Sequence, residues 1–294
     1  MTETPTISFR HRVEAFAVNS LWRLFAAMPV DTASNIGAAV MTRVGPMLKQ
    51  HRIARRNLER AFPEKTPEEI GSLLHQMWDN LGRSAAEMPS MDRILDPASG
   101  RVIVHGQEHL DALRDDGLPG IMVSGHLANW EISPLAVARQ GVPLHLFFRA
   151  PNNPLVAPLY DKVRALAKGE LLPKGRDGAR RALKLLKNGD HLGMLVDQKM
   201  NDGIPVPFFG RMAMTAPAAA ALALRFKCPI VPTQVVRTGP GRFTVTVHNP
   251  LLPDDLLGSH DSEADIMTRI NQLLESWIRE NPAQWLWVHR RWPD

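Results

Sequence analysis

The sequence predicts an α/β fold: a mixed, mostly parallel central sheet flanked by helices, with a separate helical segment at the N-terminus. Short apolar runs bounded by Gly, Pro and Asn alternate with stretches of helical periodicity, the pattern of a sheet with helices packed on it. The turn Thr238-Gly-Pro-Gly-Arg242 makes the last two strands an antiparallel hairpin, so the sheet is mixed rather than wholly parallel. The charge is also uneven. Residues 1–60 hold nine Lys/Arg against four Asp/Glu, whereas residues 61–294 hold 26 of each, so the whole formal net charge of +5 belongs to the first segment. We therefore divide the chain into an N-terminal helical, basic segment (1–60) and a main domain (61–294).

Taken in order, the first helical segment runs from about Val13 to Met28, with Phe16, Leu21, Trp22, Leu24 and Phe25 interrupted by Asn19 and Arg23. The second runs from about Thr32 to Val44, and the basic run Arg43, Lys49, Arg52, Arg55, Arg56 and Arg60 follows directly. Thr66-Pro67-Glu68-Glu69 starts the next helix: Thr66 caps, Pro67 takes the first position, Glu69 closes a capping box, and the helix continues towards Ala86. Strands are expected at Val102–Val104, Gly120–Val123, Leu144–Phe148, His191–Val196, Ile230–Val236 and Phe243–Val247. Helices are expected between them at Ala128–Arg139 (capped by Asn129), Pro154–Ala167, Gly178–Lys187 and Ala216–Phe226. A final amphipathic helix, Ser262 to Glu280, puts Ile266, Ile270, Leu273, Leu274 and Trp277 on one face.

Composition excludes several classes. A chain of 294 residues that is 44% apolar buries a large core. Its one cysteine, Cys228, forbids an internal disulfide and suits a reducing compartment. No uncharged run approaches the roughly 20 residues of a spanning helix, and the N-terminus lacks the pattern of a secretory signal. Apolar helices bearing Trp beside basic residues suit an anionic membrane surface; the alternative is a helical hairpin packed on the main domain with a solvated basic edge. Nucleic acid is not expected as a partner, because aromatics are not interleaved with the basic residues.

The most informative stretch is Ser124-Gly-His-Leu-Ala-Asn-Trp-Glu131. It puts His126 at the mouth of a strand and Glu131 five residues on, a pairing that suits a general base taking a proton from a hydroxyl. A structural or surface pair is the alternative. Arg149, at the end of the following strand, holds a phosphate or carboxylate or is tied to a loop carbonyl. Asp197, at the end of another strand, pairs with Arg149, meets substrate hydroxyls, or caps a loop. Lys174, Arg176, Arg180, Arg181, Lys184 and Lys187 form a second basic cluster, for an acidic partner or for solvent. Val206–Gly210 reads as an apolar loop, either the wall of an acyl site or core. Gly-x-Ser-x-Gly, phosphate-loop and dinucleotide motifs are all missing from the sequence, and His126, His191 and His248 lack zinc-site spacing, so no metal is expected.

His-x4-Glu within this octapeptide resembles the signature of the late acyltransferases of lipid A biosynthesis, a branch of the His-x4-Asp/Glu superfamily of glycerolipid and lysophospholipid acyltransferases. Asn57-Leu58, Ala61-Phe-Pro63, Arg149-Ala-Pro-Asn-Asn-Pro154, Asp197-Gln198, Val206-Pro-Phe-Phe-Gly210 and Trp285-Leu-Trp-Val-His-Arg-Arg-Trp292 also look like blocks of that family, in its order. The resemblance implies a glycerolipid-acyltransferase-like fold. It also implies transfer of an acyl chain from acyl-carrier-protein thioester to a glycolipid hydroxyl at the cytoplasmic face of a bacterial inner membrane. No cofactor is implied beyond the acyl-carrier cosubstrate. His126 and Glu131 would be catalytic, and Arg149, Asn152, Asn153, Asp197, Gln198, Lys174 and Arg176 would bind substrate. The first segment departs from the hydrophobic anchor of many members, which favours peripheral attachment. Other glycolipid acceptors, hydrolysis of the thioester by the same base, and a non-catalytic lipid- or carrier-binding protein are the alternatives.

Overall fold

The computed structural model describes residues 7–148, 151–252 and 262–292. Among the described residues the chain opens with four long helices: α1 (Phe9–Ala27), α2 (Val30–Val44), α3 (Lys49–Ala61) and α4 (Pro67–Glu87). The basic run after α2 is therefore mostly helix α3. The capping box at the start of α4 forms as expected, with Thr66 Oγ1 accepting from the Glu69 amide and Glu69 accepting from the Thr66 amide. α2 crosses α4 at Gly37 and Gly82, where a Cβ on either would strike the other's carbonyl oxygen. This close approach, with Val30, Ala54 and Leu58 in the common core, fastens α2 and α3 to the body.

The short α5 (Met91–Ile94) leads to β1 (Val102–His105), α6 (Gln107–Asp115), β2 (Gly120–Ser124), α7 (Ile132–Arg139), β3 (Leu144–Phe148) and α8 (Ala157–Arg164). Then come β4 (Lys168–Pro173), α9 (Arg176–Lys187), β5 (His191–Leu195), β6 (Lys199–Phe208), β7 (Arg211–Thr215), α10 (Ala218–Phe226), β8 (Ile230–Gly239), β9 (Arg242–Val247) and, at the end, α11 (Glu263–Glu280). Seven strands form one sheet in the order β1-β9-β8-β2-β5-β3-β4. Every pairing in it is parallel except β8 with β9, so the sheet is mixed and mostly parallel, as the turn at Thr238–Arg242 predicts. β2 lies at its centre and is buried along its whole length, as a short unbroken apolar run should be.

Two expectations need correction. The stretch Val206–Gly210 is not a loop: β6 and β7 make a separate antiparallel hairpin, with Phe209-Gly210 as its turn. Pro205 and Pro207 obscure this strand in the sequence, because proline lacks a ladder donor and argues against a central strand. β4 was also unforeseen. It is an edge strand whose residues alternate between exposed and half-buried up to the buried Leu172, so its apolar signal is confined to Leu171-Leu172.

α1 is attached lightly. Ala15 is its one buried residue, while Phe9, Val13, Phe16, Leu21 and Leu24 are exposed, Phe9 by 82% and Phe16 by 77%. Among the described residues, eleven of the eighteen exposed large apolar side chains fall between Ile7 and Leu48. No helix among the described residues is long and apolar enough to cross a membrane.

Candidate active site

β2 and β5 are parallel neighbours, and their register pairs Ser124 with Leu195. Two residues beyond each partner lie His126 and Asp197, so the sheet itself brings the two together beyond the carboxyl ends of its central strands, where α/β sheets bind ligands. His126 Nδ1 is 2.6 Å from Asp197 Oδ1, and the His126 main-chain amide donates to Asp197 Oδ2 at 2.7 Å. Trp285 Nε1 donates to the same Oδ2 at 2.7 Å. Asp197 is wholly buried. Burial alone would raise its pKa, but the charge of His126 and the hydrogen bonds from its ring and amide outweigh it and hold the carboxyl well below the usual range. Because a carboxylate can only accept, Nδ1 carries the imidazole proton, which leaves the Nε2 lone pair as the basic site. The Gln198 amide lies 3.2 Å from Nε2 and donates to that lone pair.

The loop that carries His126 is clamped by backbone. Leu127 forms a β-bridge with Trp285, Leu286 N donates to the His126 carbonyl at 3.0 Å, and Ala128 N donates to the Gln284 carbonyl at 2.8 Å. These bonds, with Asn80 and Ser84 donating to the Ala128 carbonyl, hold Ala128 in the left-handed region at φ 48°. Gly125 packs closely here: an added Cβ would sit 3.3 Å from Asp197 Oδ2 and 3.0 Å from Leu274 Cδ2, so a larger residue would press on the carboxylate. Trp130 lies against the imidazole, ring centres 5.2 Å apart.

Glu131 is not the partner of His126. It precedes α7 and is gripped by Arg164 of α8, with N–O distances of 2.6 and 3.2 Å. Burial opposes the charge of Arg164, but hydrogen bonding to Glu131 outweighs it and raises the Arg164 pKa. The carboxylate at the imidazole is Asp197, which the sequence reading set at a strand end to pair with Arg149, to meet substrate hydroxyls or to cap a loop. Nor does the Asn129 side chain cap α7. It donates to the buried Glu87 at 3.2 Å, within a network that joins Glu87 to Arg237, Ser34 and the Gly241 amide.

A pocket of about 470 Å³ adjoins this ion pair, lined by Glu14 and Val18 of α1, Pro151, Asn152, Asn153, Val156, Tyr160 and Arg164. Asn152 faces it. Asn153 instead ties the loop to α1, donating to the His11 carbonyl at 2.8 Å while its own oxygen accepts from Leu155 N. Trp22 of α1 meets Tyr160 edge-on at 5.9 Å, so α1 forms one wall. Arg149 lies outside the described residues. Lys174 and Arg176 follow the edge strand β4 and are exposed, and no described contact joins them to His126. Among the described residues, no cluster of three His, Cys, Asp or Glu side chains forms a metal site.

Sequence reasoning missed Arg164 and Trp285 as parts of the site. Arg164 gives no signal, since it is one cation in an ordinary helical stretch. Trp285 gives a weak one, because a tryptophan in so aromatic a segment is buried and its N–H then needs an acceptor.

Residues 3–294 match the family described as bacterial lipid A biosynthesis acyltransferase. The chain is 23% identical to the lipid A biosynthesis palmitoleoyltransferase of Escherichia coli K12 over 288 residues, covering 96% of this chain and 91% of that protein. It is also 23% identical to the lipid A biosynthesis lauroyltransferase of the same organism, covering 99% and 96%. A lipid A biosynthesis acyltransferase of Haemophilus influenzae is 23% identical over 92% of this chain and 88% of its own length. The chain therefore belongs to the bacterial lipid A biosynthesis acyltransferase family, and it is an acyltransferase.

Proposed function

We propose that this acyltransferase moves a fatty acyl chain from an acyl-carrier-protein thioester to a hydroxyl of a lipid A precursor, with His126 as general base. The observation that carries this reading is the Asp197–His126 pair, which fixes the proton on Nδ1 and leaves Nε2 basic. An alcohol of pKa about 16 is a weak nucleophile until a base takes its proton during attack. As the acceptor oxygen bonds to the thioester carbonyl carbon, Nε2 takes the hydroxyl proton, and the buried Asp197 stabilises the imidazolium that forms. Collapse of the tetrahedral intermediate breaks the C–S bond, and the thiolate leaves with the proton returned from His126. No acyl-enzyme and no prosthetic group is needed. Gln198, which caps Nε2, yields that place to the acceptor hydroxyl. The Glu131–Arg164 pair, Asn152 and Tyr160 shape the adjoining pocket for the acceptor headgroup.

The enzyme works at the cytoplasmic face of the inner membrane, on a bilayer surface that its own apolar helices enter. The exposed apolar side chains of α1 and α2, together with Arg10, Arg12, Arg23 and Arg43, support this part of the reading. The test is acyl transfer from a purified acyl-carrier thioester to a lipid A precursor, followed by mass spectrometry. His126→Ala should abolish the added acyl mass while the fold is retained. An undiminished rate in that variant, or release of free fatty acid in place of acylated lipid by the wild type, rejects the proposal.

A further inference from the structure

A second cleft, of about 380 Å³, lies between α3 and the C-terminal segment, lined by Lys49, Arg52, Ile53, Arg56 and Arg290. The four α3 residues follow the spacing of a single helix face, so the cations share one wall and Arg290 closes the other. Lys49 and Arg52 sit in the first turn of α3, which holds no acidic residue. Cations there oppose the helix dipole and weaken the helix, so local stability does not account for them. A guanidinium and an ammonium on one face of a cleft are the chemistry that holds a phosphate, Arg52 by paired hydrogen bonds and Lys49 as a point charge, with Arg56 and Arg290 adding positive potential to the same walls.

The surroundings of this cleft indicate what carries the phosphate. The exposed stripe Ile36, Val40 and Val44 of α2 runs on into Met47, which is 83% exposed, and Leu48, directly before Lys49. Cα atoms two residues apart lie within about 7.6 Å, so bare apolar side chains stand beside the cations. A soluble anion gains nothing from that apolar rim. A lipid matches both halves, with its phosphate level with the cations and its chains around Met47, Leu48 and Val44. We propose that this cleft is a binding site for a lipid-borne phosphate. This rests on the reading that the enzyme works at a bilayer surface. The cleft is also fastened to the catalytic framework: Asn57, one residue past Arg56, donates to the carbonyls of Trp287 and His289 at 2.7 and 2.6 Å. The same segment supplies Trp285 to Asp197. A phosphate held here sets the height and tilt of the catalytic body over the membrane.

The test compares Lys49→Gln/Arg52→Gln with Arg12→Gln/Arg23→Gln, which removes equal charge from exposed positions on α1. Circular dichroism checks the fold of each. Flotation uses phosphatidylcholine vesicles containing either phosphatidic acid or oleate at matched surface charge. A second arm measures acylation of a phosphorylated disaccharide lipid in neutral detergent micelles. The expected result is a tenfold or greater loss by the α3 variant, beyond that of the α1 variant, in phosphatidate binding or as a rise in acceptor KM at steady kcat. The first outcome assigns a bulk membrane lipid and the second the acceptor's own phosphate. Equal losses by both variants on both vesicle types mean diffuse attraction and overturn the proposal. So does unchanged lipid binding with a raised KM for the carrier thioester, which gives the cleft to the carrier protein. A wild type that acylates the acceptor neither in micelles nor in vesicles defeats the proposed function instead, while the flotation arm still judges the cleft.

Discussion

Asp197 holds His126 at two points, the ring Nδ1 at 2.6 Å and the main-chain amide at 2.7 Å, so one carboxylate sets both the tautomer and the position of the base. Asp197→Asn keeps the shape but removes the charge that stabilises an imidazolium, and it can present an N–H to Nδ1 and so favour the wrong tautomer. General-base catalysis is worth roughly 10² to 10⁴ in rate. We expect Asp197→Asn to lower kcat by about that range with little change in donor KM. Trp285→Phe, which removes one donor to the same carboxylate, should cost much less. Steady-state kinetics of both variants check this, and an Asp197→Asn enzyme of near-normal kcat would contradict the assignment.

Glu131 and Arg164 join the start of α7 to the end of α8 beside the candidate acceptor pocket. Together they hold that wall, so removing Arg164 leaves the buried Glu131 carboxylate without its partner, removing Glu131 leaves a half-buried guanidinium, and removing both costs less than the two single losses added. A double-mutant cycle on Glu131→Ala and Arg164→Ala should give a coupling of about 0.5–3 kcal/mol in kcat/KM, the range for residues in direct contact. Additive losses would show that the two act separately.

Glu87 is fully buried and bonded to Arg237, Ser34, Asn129 and the Gly241 amide, tying α4 to α2, the His126 loop and the β8–β9 turn. Glu87→Ala strands the buried Arg237 guanidinium. Breaking a buried pair in this way typically costs about 3–5 kcal/mol. Urea unfolding should report a loss of that order, and less for Glu87→Ala/Arg237→Met. A single variant within about 0.5 kcal/mol of wild type would mean that the network is dispensable.

Burial, in each case the leading cause, holds His51, His191, His248 and His289 below the ordinary histidine range. A group whose folded pKa is depressed is protonated first in the unfolded chain. The stability it provides is complete above about pH 6.5 and erodes as the pH falls from there, most for the deeply buried His289 and His191 and least for His51, whose exposure to solvent screens the effect. Asp197 follows the same sign in a lower window, keeping its contribution until the pH drops below about 4. The melting temperature should therefore fall between about pH 7 and pH 5, and His191→Leu should flatten that slope. A melting temperature level across the interval would refute the account.

The sequence by itself determined the fold class, most of the strands, the capped start of α4, the β8–β9 hairpin and His126 at the end of the central strand. These follow from local signals: unbroken apolar runs, a capping box, a turn rich in glycine and a glycine-flanked histidine. Only the tertiary structure decided which carboxylate serves the histidine. Glu131 is five residues from His126 and Asp197 is 71 away, yet the β2–β5 register sets Asp197 against the imidazole, and Arg164 from a third element takes Glu131. Spacing along a chain limits reach but not direction, and at the end of a parallel sheet the nearest neighbours come from adjacent strands. The same reason hid Trp285, which returns from the far end of the chain to bond Asp197.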